Sequence, residues 1–408
     1  MNFKEFITEQ KNTHMTHIED KVIYGGVDGT RQAIMALRSL RDMLGGVKDG
    51  NVSVKRDGAP AVFAGTDPRD GRFFVAKKGI FNKEPKVYKS NADVDADTSG
   101  DLATKLKLAL QYLPDLGIKG VIQGDFLYGP GDVKTSKIKG QSYVTFHPNT
   151  IVYAVPANSQ AAKEIKSTKI GIVWHTTYKG NSFETMKASY GVNVSKLKKS
   201  SNVWSQDAML RDMTAFTMTK TDTEEVNELL SKAGKIFNQI SGSTLRTLES
   251  NKALAQTIET YNNTFVRKGE VIKDTRRHVV GLIRYIEGKY KKEIQKRSTE
   301  KGKAVQQKKL DELLKFFSKE NKNSLERMFE LQKTIVLAKL KLINILNKLN
   351  NAKTFLKTKR GYQVTGQEGY VAIDRLGGDA VKIVDRLEFS YANFSPNILK
   401  GWDKPGRN

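Results

Sequence analysis

The hydrophobic period of the chain changes along its length, and each change predicts a different kind of element. From about Thr30 to Leu44 apolar residues recur at three- and four-residue steps, at Ala33, Leu37, Leu40 and Leu44, and Gly45-Gly46 follows. This spacing predicts an amphipathic helix with a glycine stop. The period then drops to two. VSVKRDG, AVFAG, FFVAKKG and KVYKS alternate apolar and polar positions, and Asp67-Pro68-Arg69-Asp70-Gly71 supplies a hairpin-type turn. These segments are predicted strands of an antiparallel sheet. A capped helix is expected from about Asp101 to Tyr112, ended by Pro114 and Gly117. VIQGDFLYG, SYVTFHP, TIVYAVP and IGIVWHTTY then read as four more strands, carrying the sheet to about residue 179.

Between about residues 204 and 355 the chain has no proline and turns to Lys, Glu, Leu and Gln. Thr221 with Glu224 reads as a capping box, and Ser324 to Leu349 as one long amphipathic helix. Strand patterning returns after residue 360 in GYQVTGQEGYVAIDRLGGDAVKIVDRLEFS, where two apolar strands flank the turn Leu376-Gly377-Gly378-Asp379. A sheet that stops near 179 and resumes near 361 implies one α+β domain carrying a large helical insertion. The expected division is an N-terminal helical segment at 1–50, the first part of the sheet domain at 51–195, a basic helical insertion at 196–358 and closing strands at 359–408.

Charge adds a partner to this outline. The 408 residues hold 69 Lys and Arg against 44 Asp and Glu, a formal net charge of +25. Such an excess points to a polyanion, with nucleic acid the natural candidate. From Arg267 to Lys309 there are 15 Lys and Arg against 5 Asp and Glu. Arg276, Arg277, Lys291, Lys292, Lys296 and Arg297 are therefore candidate phosphate contacts, although the same run also reads as a solvated helix face. Membrane is the rival polyanion. The most apolar helical stretch, Ile335 to Leu349, is interrupted by Lys339, Lys341 and Lys348 and cannot span a bilayer.

The absence of cysteine excludes disulfides, thiolate metal sites and thiol nucleophiles. MNFKEFITEQKNTHMTHIED has no apolar core with a cleavage site, so the expected location is the cytoplasm. Asp93, Asp95 and Asp97 do not make a calcium loop, because Thr98 and Thr104 stand where glycine and glutamate are needed. His14 and His17, near Glu19 and Asp20, lack a third ligand in sequence, and they, His147 and His175 are read as structural or capping residues.

The candidate chemistry is at Lys55, followed by Asp57 and Gly58 at the edge of an alternating apolar run. A lysine amine that attacks the α-phosphate of a nucleotide must be unprotonated and held in line with the leaving pyrophosphate. Lysine ordinarily titrates near ~10.4, so the pocket is expected to favour the neutral form through burial or nearby cations. By itself K-x-D-G also fits a surface β-turn. Later strands carry further charged candidates. GDFLYG offers Asp125, EGYV offers Glu368 and AVKIVDR offers Lys382, in that order.

This ordered set resembles the covalent nucleotidyltransferase superfamily of ATP-dependent DNA ligases, RNA ligases and capping enzymes. The resemblance implies an antiparallel-sheet nucleotidyltransferase fold, ATP-grasp-like and of the ligase adenylation kind, with Lys55 as the residue that carries AMP. It implies that Asp57, Gly58, Lys77 and Lys78 bind the nucleotide and that Tyr153 in TIVYAV stacks on its base. Asp125 and Glu368 would hold Mg²⁺ (or Mn²⁺) or the ribose, and Lys382 would contact the α-phosphate. The implied activity is ATP-dependent sealing of 5′-phosphate to 3′-hydroxyl ends of RNA or DNA. With about two dozen residues after Lys382, no C-terminal oligonucleotide-binding domain is expected, which favours an RNA-ligase-like arrangement. Pro60 stands where the superfamily usually has arginine, Asp125 where glutamate is usual, and Val384 where a second lysine is common. These departures support an alternative, a catalytically inactive nucleotidyltransferase-like protein that binds nucleic acid or serves as a virion-associated structural protein. The THMTHIED opening and the VKIVDRLEFSYANFSP close also resemble an uncharacterised protein family of large tailed phages, which would make the cytoplasm that of the host.

Overall fold

The computed structural model describes residues 16–47, 51–210, 218–349, 352–373 and 380–403. A helical turn at Ile18–Asp20 and a short helix at Lys21–Tyr24 lead into α1, Gly26–Leu44, which buries Ala33, Leu37, Leu40 and Leu44 as its spacing predicts. β1 (Asn51–Lys55), β2 (Ala61–Thr66) and β3 (Phe73–Ala76) follow, then α2 (Asn91–Asp97) and α3 (Gly100–Tyr112). Next come β4 (Val121–Tyr128), β5 (Lys134–Ile138), β6 (Gln141–Phe146), β7 (Ile151–Pro156), α4 (Gln160–Ser167), β8 (Ile170–Lys179), β9 (Lys187–Tyr190) and β10 (Val203–Asp207).

The helical block consists of α5 (Lys220–Phe237), α6 (Gly242–Ser250), α7 (Lys252–Arg267), α8 (Thr275–Gln295), α9 (Glu300–Leu314) and α10 (Lys319–Lys348). β11 (Lys353–Thr358), β12 (Gly361–Val364), β13 (Gly369–Ile373), β14 (Ala380–Ile383), α11 (Arg386–Phe394) and β15 (Ile398–Leu399) complete the described elements.

The result is a mixed α/β protein whose strand pairs are antiparallel except for β10 on β8, which is parallel. Three sheets run β1-β13-β14, β10-β8-β4-β2-β3 with β9 on β8, and β12-β11-β7-β6-β5 with β15 on β11. β1 ties the first to the second. Along one edge it pairs with β13, and along the other Val54 N–H donates to Ala208 O at 2.8 Å while Leu210 N–H donates to Val52 O at 2.7 Å.

Several expected boundaries move. β10 lies within the span 196–358 assigned to the insertion yet is a strand of the main sheet, and β11 pairs with β7, so the helices occupy only Lys220–Lys348. The N-terminal segment is not separate either, because α1 and the helical block share one hydrophobic core. The cap of α5 is Thr219 with Asp222, two residues before the box read at Thr221, because Thr219 Oγ1 accepts from Asp222 N–H at 3.0 Å. Ser90 and Asp93 form a capping box that starts α2, a helix the aspartate-rich loop concealed. KVYKS contributes only a bridge between Tyr88 and Val75, and the turn at 376–379 lies outside the described residues.

Lys339, which interrupts the apolar face of α10, is 1% exposed and donates to both carboxylate oxygens of Glu19 at 2.8 Å. Beside it Arg386 holds Asp20 at 2.9 Å and 3.0 Å, and Gln332 Nε2 donates to Glu19 O at 2.9 Å. Burial would raise Glu19, but the Lys339 and Arg386 charges outweigh it and hold its carboxyl below the usual range. Among the described residues no helix is long and apolar enough to cross a membrane.

Removing one partner of a buried ion pair strands the other charge. Glu19→Gln is therefore expected to destabilise the fold by about 3–5 kcal/mol in urea denaturation, with Glu19→Leu/Lys339→Met recovering part of the loss.

Candidate active site

The register of the β1-β13-β14 sheet brings the sequence candidates together. Val52, Val54, Tyr370, Ala372, Val381 and Ile383 fall on one face and pack into the helical core. Alternation sends their neighbours to the other face. Lys55 is opposite Gly369, and Ser53, Val371 and Lys382 form a row across the three strands. Lys55 and Lys382 therefore share the face that the core does not use. Glu368, immediately before β13, reaches back so that its Oε1 is 2.5 Å from Lys55 Nζ.

This pairing reverses the expectation of a neutral amine. Burial disfavours the Lys55 ammonium, but the charges of Glu368, Asp125 and Asp57 and the hydrogen bond to Glu368 outweigh it and raise its pKa. Glu368 is itself pushed up to about 7, chiefly by burial, with Lys55 opposing. Lys382 is lowered by burial and by the Lys55 charge.

The loop after Lys55 is strapped to its neighbours. The Asp57 carboxylate is buried and accepts from Asn149 Nδ2 at 2.6 Å, Thr150 N–H at 2.7 Å, Thr150 Oγ1 at 2.6 Å and Ile151 N–H at 2.9 Å. Asp57 thus anchors the loop to the β6–β7 turn, and its carboxylate is committed within the protein. Gly58 is required by close approach: a Cβ there would lie 2.5 Å from Asp125 Cβ and 3.0 Å from Phe126 O. Ala59 N–H donates to Phe126 O and Phe126 N–H to Pro60 O, both at 3.0 Å, which fixes β4 against the loop.

Asp125 arrives on the Lys55 side by this route. Burial pushes its pKa up to about 7, with the Lys55 charge opposing. The pairing of β4 with β8 shifts between Gln123, opposite Thr176, and Gly124, opposite Trp174. His175 is the extra residue of this bulge, and its Nε2 is 3.9 Å from Asp125 Oδ2. Burial and the Lys55 charge lower the imidazole to about 4. Its place in the site depends on a bulge that strict alternation does not reveal.

Tyr153 does not stand as a base platform. It is 1% exposed, its ring stacks on Phe146 at 5.4 Å, Arg56 lies over it at 5.5 Å, and its hydroxyl accepts from Asp57 N–H at 2.6 Å. Arg56, which the sequence pattern did not single out, also donates to Gln367 Oε1 at 2.9 Å and so ties the loop to the residue before Glu368. Lys77, at the end of β3, is bound to Asp97 at 3.1 Å, and Asp97 also takes Lys86 and the Tyr88 hydroxyl at 2.6 Å each. Lys78 is exposed in the turn Lys78–Phe81.

Arg276, Arg277, Lys291 and Lys292 are exposed on α8, and Lys296 and Arg297 are exposed just beyond it. Arg277 is 3.5 Å from Asp274, and Lys296 is 2.9 Å from Glu293. Two open clefts, of about 620 Å³ beside Lys89 and Lys107 and about 790 Å³ beside Asn347 and Lys353, are lined by neither Lys55 nor Asp125. Among the described residues no three His, Asp or Glu side chains converge to hold a metal ion. Asp125 and Glu368 provide two carboxylates, a number that suits a hard cation retaining water and phosphate ligands.

With this geometry in hand, the chain belongs to a family of unknown function, DUF6267, which matches residues 12–398. No curated protein and no solved structure matches it.

Asp57→Asn would set an amide nitrogen or a lone oxygen against donors that now face a carboxylate. It is expected to cost about 1–3 kcal/mol in thermal or urea unfolding.

Proposed function

We propose that this protein is an ATP-dependent polynucleotide ligase of the RNA-ligase-like kind, acting through a lysyl-AMP intermediate. The observation that supports the reading is the convergence of Lys55 with Glu368, 313 residues away, on the sheet face that also carries Lys382 and adjoins Asp125. Lys55 Nζ forms a bond to the α-phosphorus of ATP as the bond to the β-phosphate oxygen breaks and pyrophosphate leaves. The amine must first lose its proton to solvent, which becomes easier once a cation draws the Glu368 carboxylate away from Lys55. Lys382 is a cation on the same face and would offset charge on the phosphates. Asp125 and Glu368 would hold Mg²⁺ (or Mn²⁺), which supplies neutralisation of the triphosphate. AMP then passes to a 5′-phosphate, and a 3′-hydroxyl displaces AMP to seal the strand. Exposed cations on α8 would hold the polynucleotide backbone, and the protein would then act in the cytoplasm of the cell or host.

The second reading, a catalytically inactive nucleic-acid-binding or virion-associated structural protein, is favoured by two observations. Lys55 rests as an ammonium paired with Glu368, and the Tyr153 ring is enclosed by protein. Incubation with α-labelled ATP and Mg²⁺, with GTP and NAD in parallel, followed by intact mass, separates the two. The expected result is an AMP adduct that Lys55→Ala abolishes. No adduct from folded protein with any nucleotide selects the second reading.

The pKa directions set the pH profile. A raised Lys55 leaves the free amine scarce at neutrality, so adduct formation should climb about tenfold per pH unit from pH ~7 to ~9. Below about 7, Asp125 and Glu368 take up protons and lose the charge that would hold a metal, so the rate should fall further. A rate that is flat above pH ~7 would remove the ammonium resting state.

Replacing Arg276, Arg277, Lys291 and Lys292 by Gln should reduce the slope of log affinity against log salt by about 0.7–0.9 for each phosphate no longer neutralised. Adduct formation should be unchanged. An unaltered slope returns α8 to a plain solvated face.

A further inference from the structure

Close to the Lys55 loop the chain exposes one of its 3 tryptophans, Trp402, which is 50% exposed, whereas Trp174 is 0% exposed. Trp402 sits on a rigid mount. β15 pairs with β11, with Leu399 opposite Lys357 and Ile398 opposite Thr358. Gly401 N–H then donates to Asn149 O at 2.7 Å, and a Cβ on Gly401 would lie 1.9 Å from His147 O, so only glycine lets the segment lie flat on the β6–β7 turn. Lys400 N–H donates to Asp403 Oδ2 at 2.7 Å, closing a turn around the indole.

The surroundings are cationic. Lys400 Nζ lies 5.5 Å from the centre of the Trp402 ring, over one face, and no other ring or cation contacts that indole among the described residues. Lys357 is near enough to His147 for its charge to help depress the imidazole. Lys359 and Arg360 are exposed in the turn between β11 and β12, immediately after the residue that pairs with Ile398. Asp403 is the acidic neighbour, and its carboxylate is engaged by the Lys400 amide.

We propose that Trp402, with Lys400, Lys357, Lys359 and Arg360, is a docking surface for a single-stranded polynucleotide end, one base stacking on the indole while the cations meet its phosphates. A half-exposed indole held by backbone hydrogen bonds among cations fits sequence-tolerant stacking, and the +25 charge of the chain favours a polyanion over an apolar peptide. The surface adjoins the candidate site through one residue: Asn149 accepts from Gly401 through its carbonyl and donates to Asp57 through its amide at 2.6 Å. That the strand is brought there to be sealed rests on the ligase reading; the binding itself does not.

The test is titration of the full chain with a short oligouridylate and its thymidylate counterpart. Tryptophan quenching and the anisotropy of a 5′-labelled strand are both read at two salt concentrations. The wild-type protein is expected to show saturable quenching, and Trp402→Ala to weaken binding about tenfold or more, with Trp402→Phe restoring most of it. Lys357→Gln/Lys400→Gln should lower the salt slope by about 1.4. Lys55-dependent adduct formation should be unchanged in Trp402→Ala. Unchanged strand affinity in Trp402→Ala, with a native circular dichroism spectrum, overturns the proposal. Strand binding that depends on Trp402 in a protein that forms no adduct sustains it while the ligase reading fails.

Discussion

Two of the three sheets meet at β1, a five-residue strand hydrogen-bonded along both edges. One edge takes β13 and the other takes residues 208–210, so two sheets depend on it. Its alternation does the rest. Val52 and Val54 enter the helical core, and Ser53 and Lys55 face away, so the core that stabilises the strand also decides where the lysine points. A one-residue slip would exchange these faces and bury Lys55 among leucines, at a desolvation cost that register alone avoids.

The site that results is acidic around a lysine. Asp57, Asp125 and Glu368 all bias Lys55 toward the ammonium, and burial raises Asp125 and Glu368 in return. Asp57 is satisfied by four hydrogen bonds and acts as an anchor, which leaves Asp125 and Glu368 as the carboxylates that the proposed chemistry would draw on. In the ligase we propose, this ion pair is a closed state: the amine would become a nucleophile only when a cation draws Glu368 away from it.

The helical block and the site are joined by buried charge. His17, at the head of the segment that carries Glu19 and Asp20, forms a backbone bridge with Lys382, while Lys339 of α10 holds Glu19 and Arg386 of α11 holds Asp20. The THIED motif is thereby explained as a clamp between α10, α11 and β14. Apolar side chains of the same volume would fill the space, but they would not select one register of the segment against β14.

The amino-acid sequence by itself determined the periods: the helix at α1, the hairpin of β2 and β3, strands β4, β6, β7 and β8, and the long α10 follow from spacing, because apolar faces must be buried whatever lies opposite. It also carries Lys55, Asp125, Glu368 and Lys382 in the order that the nucleotidyltransferase resemblance expects. Only the tertiary structure decided which of the named side chains are free to act. Asp57 and Tyr153 became anchors because the β6–β7 turn closes on them, Lys77 was drawn to Asp97, and His175 entered through a bulge. Local sequence carries no record of such contacts, which depend on partners tens of residues away. The same reason hid β10 inside the expected insertion and merged α1 with the helical block: a strand edge or an apolar stripe states what it needs, and only the folded chain shows which element supplies it.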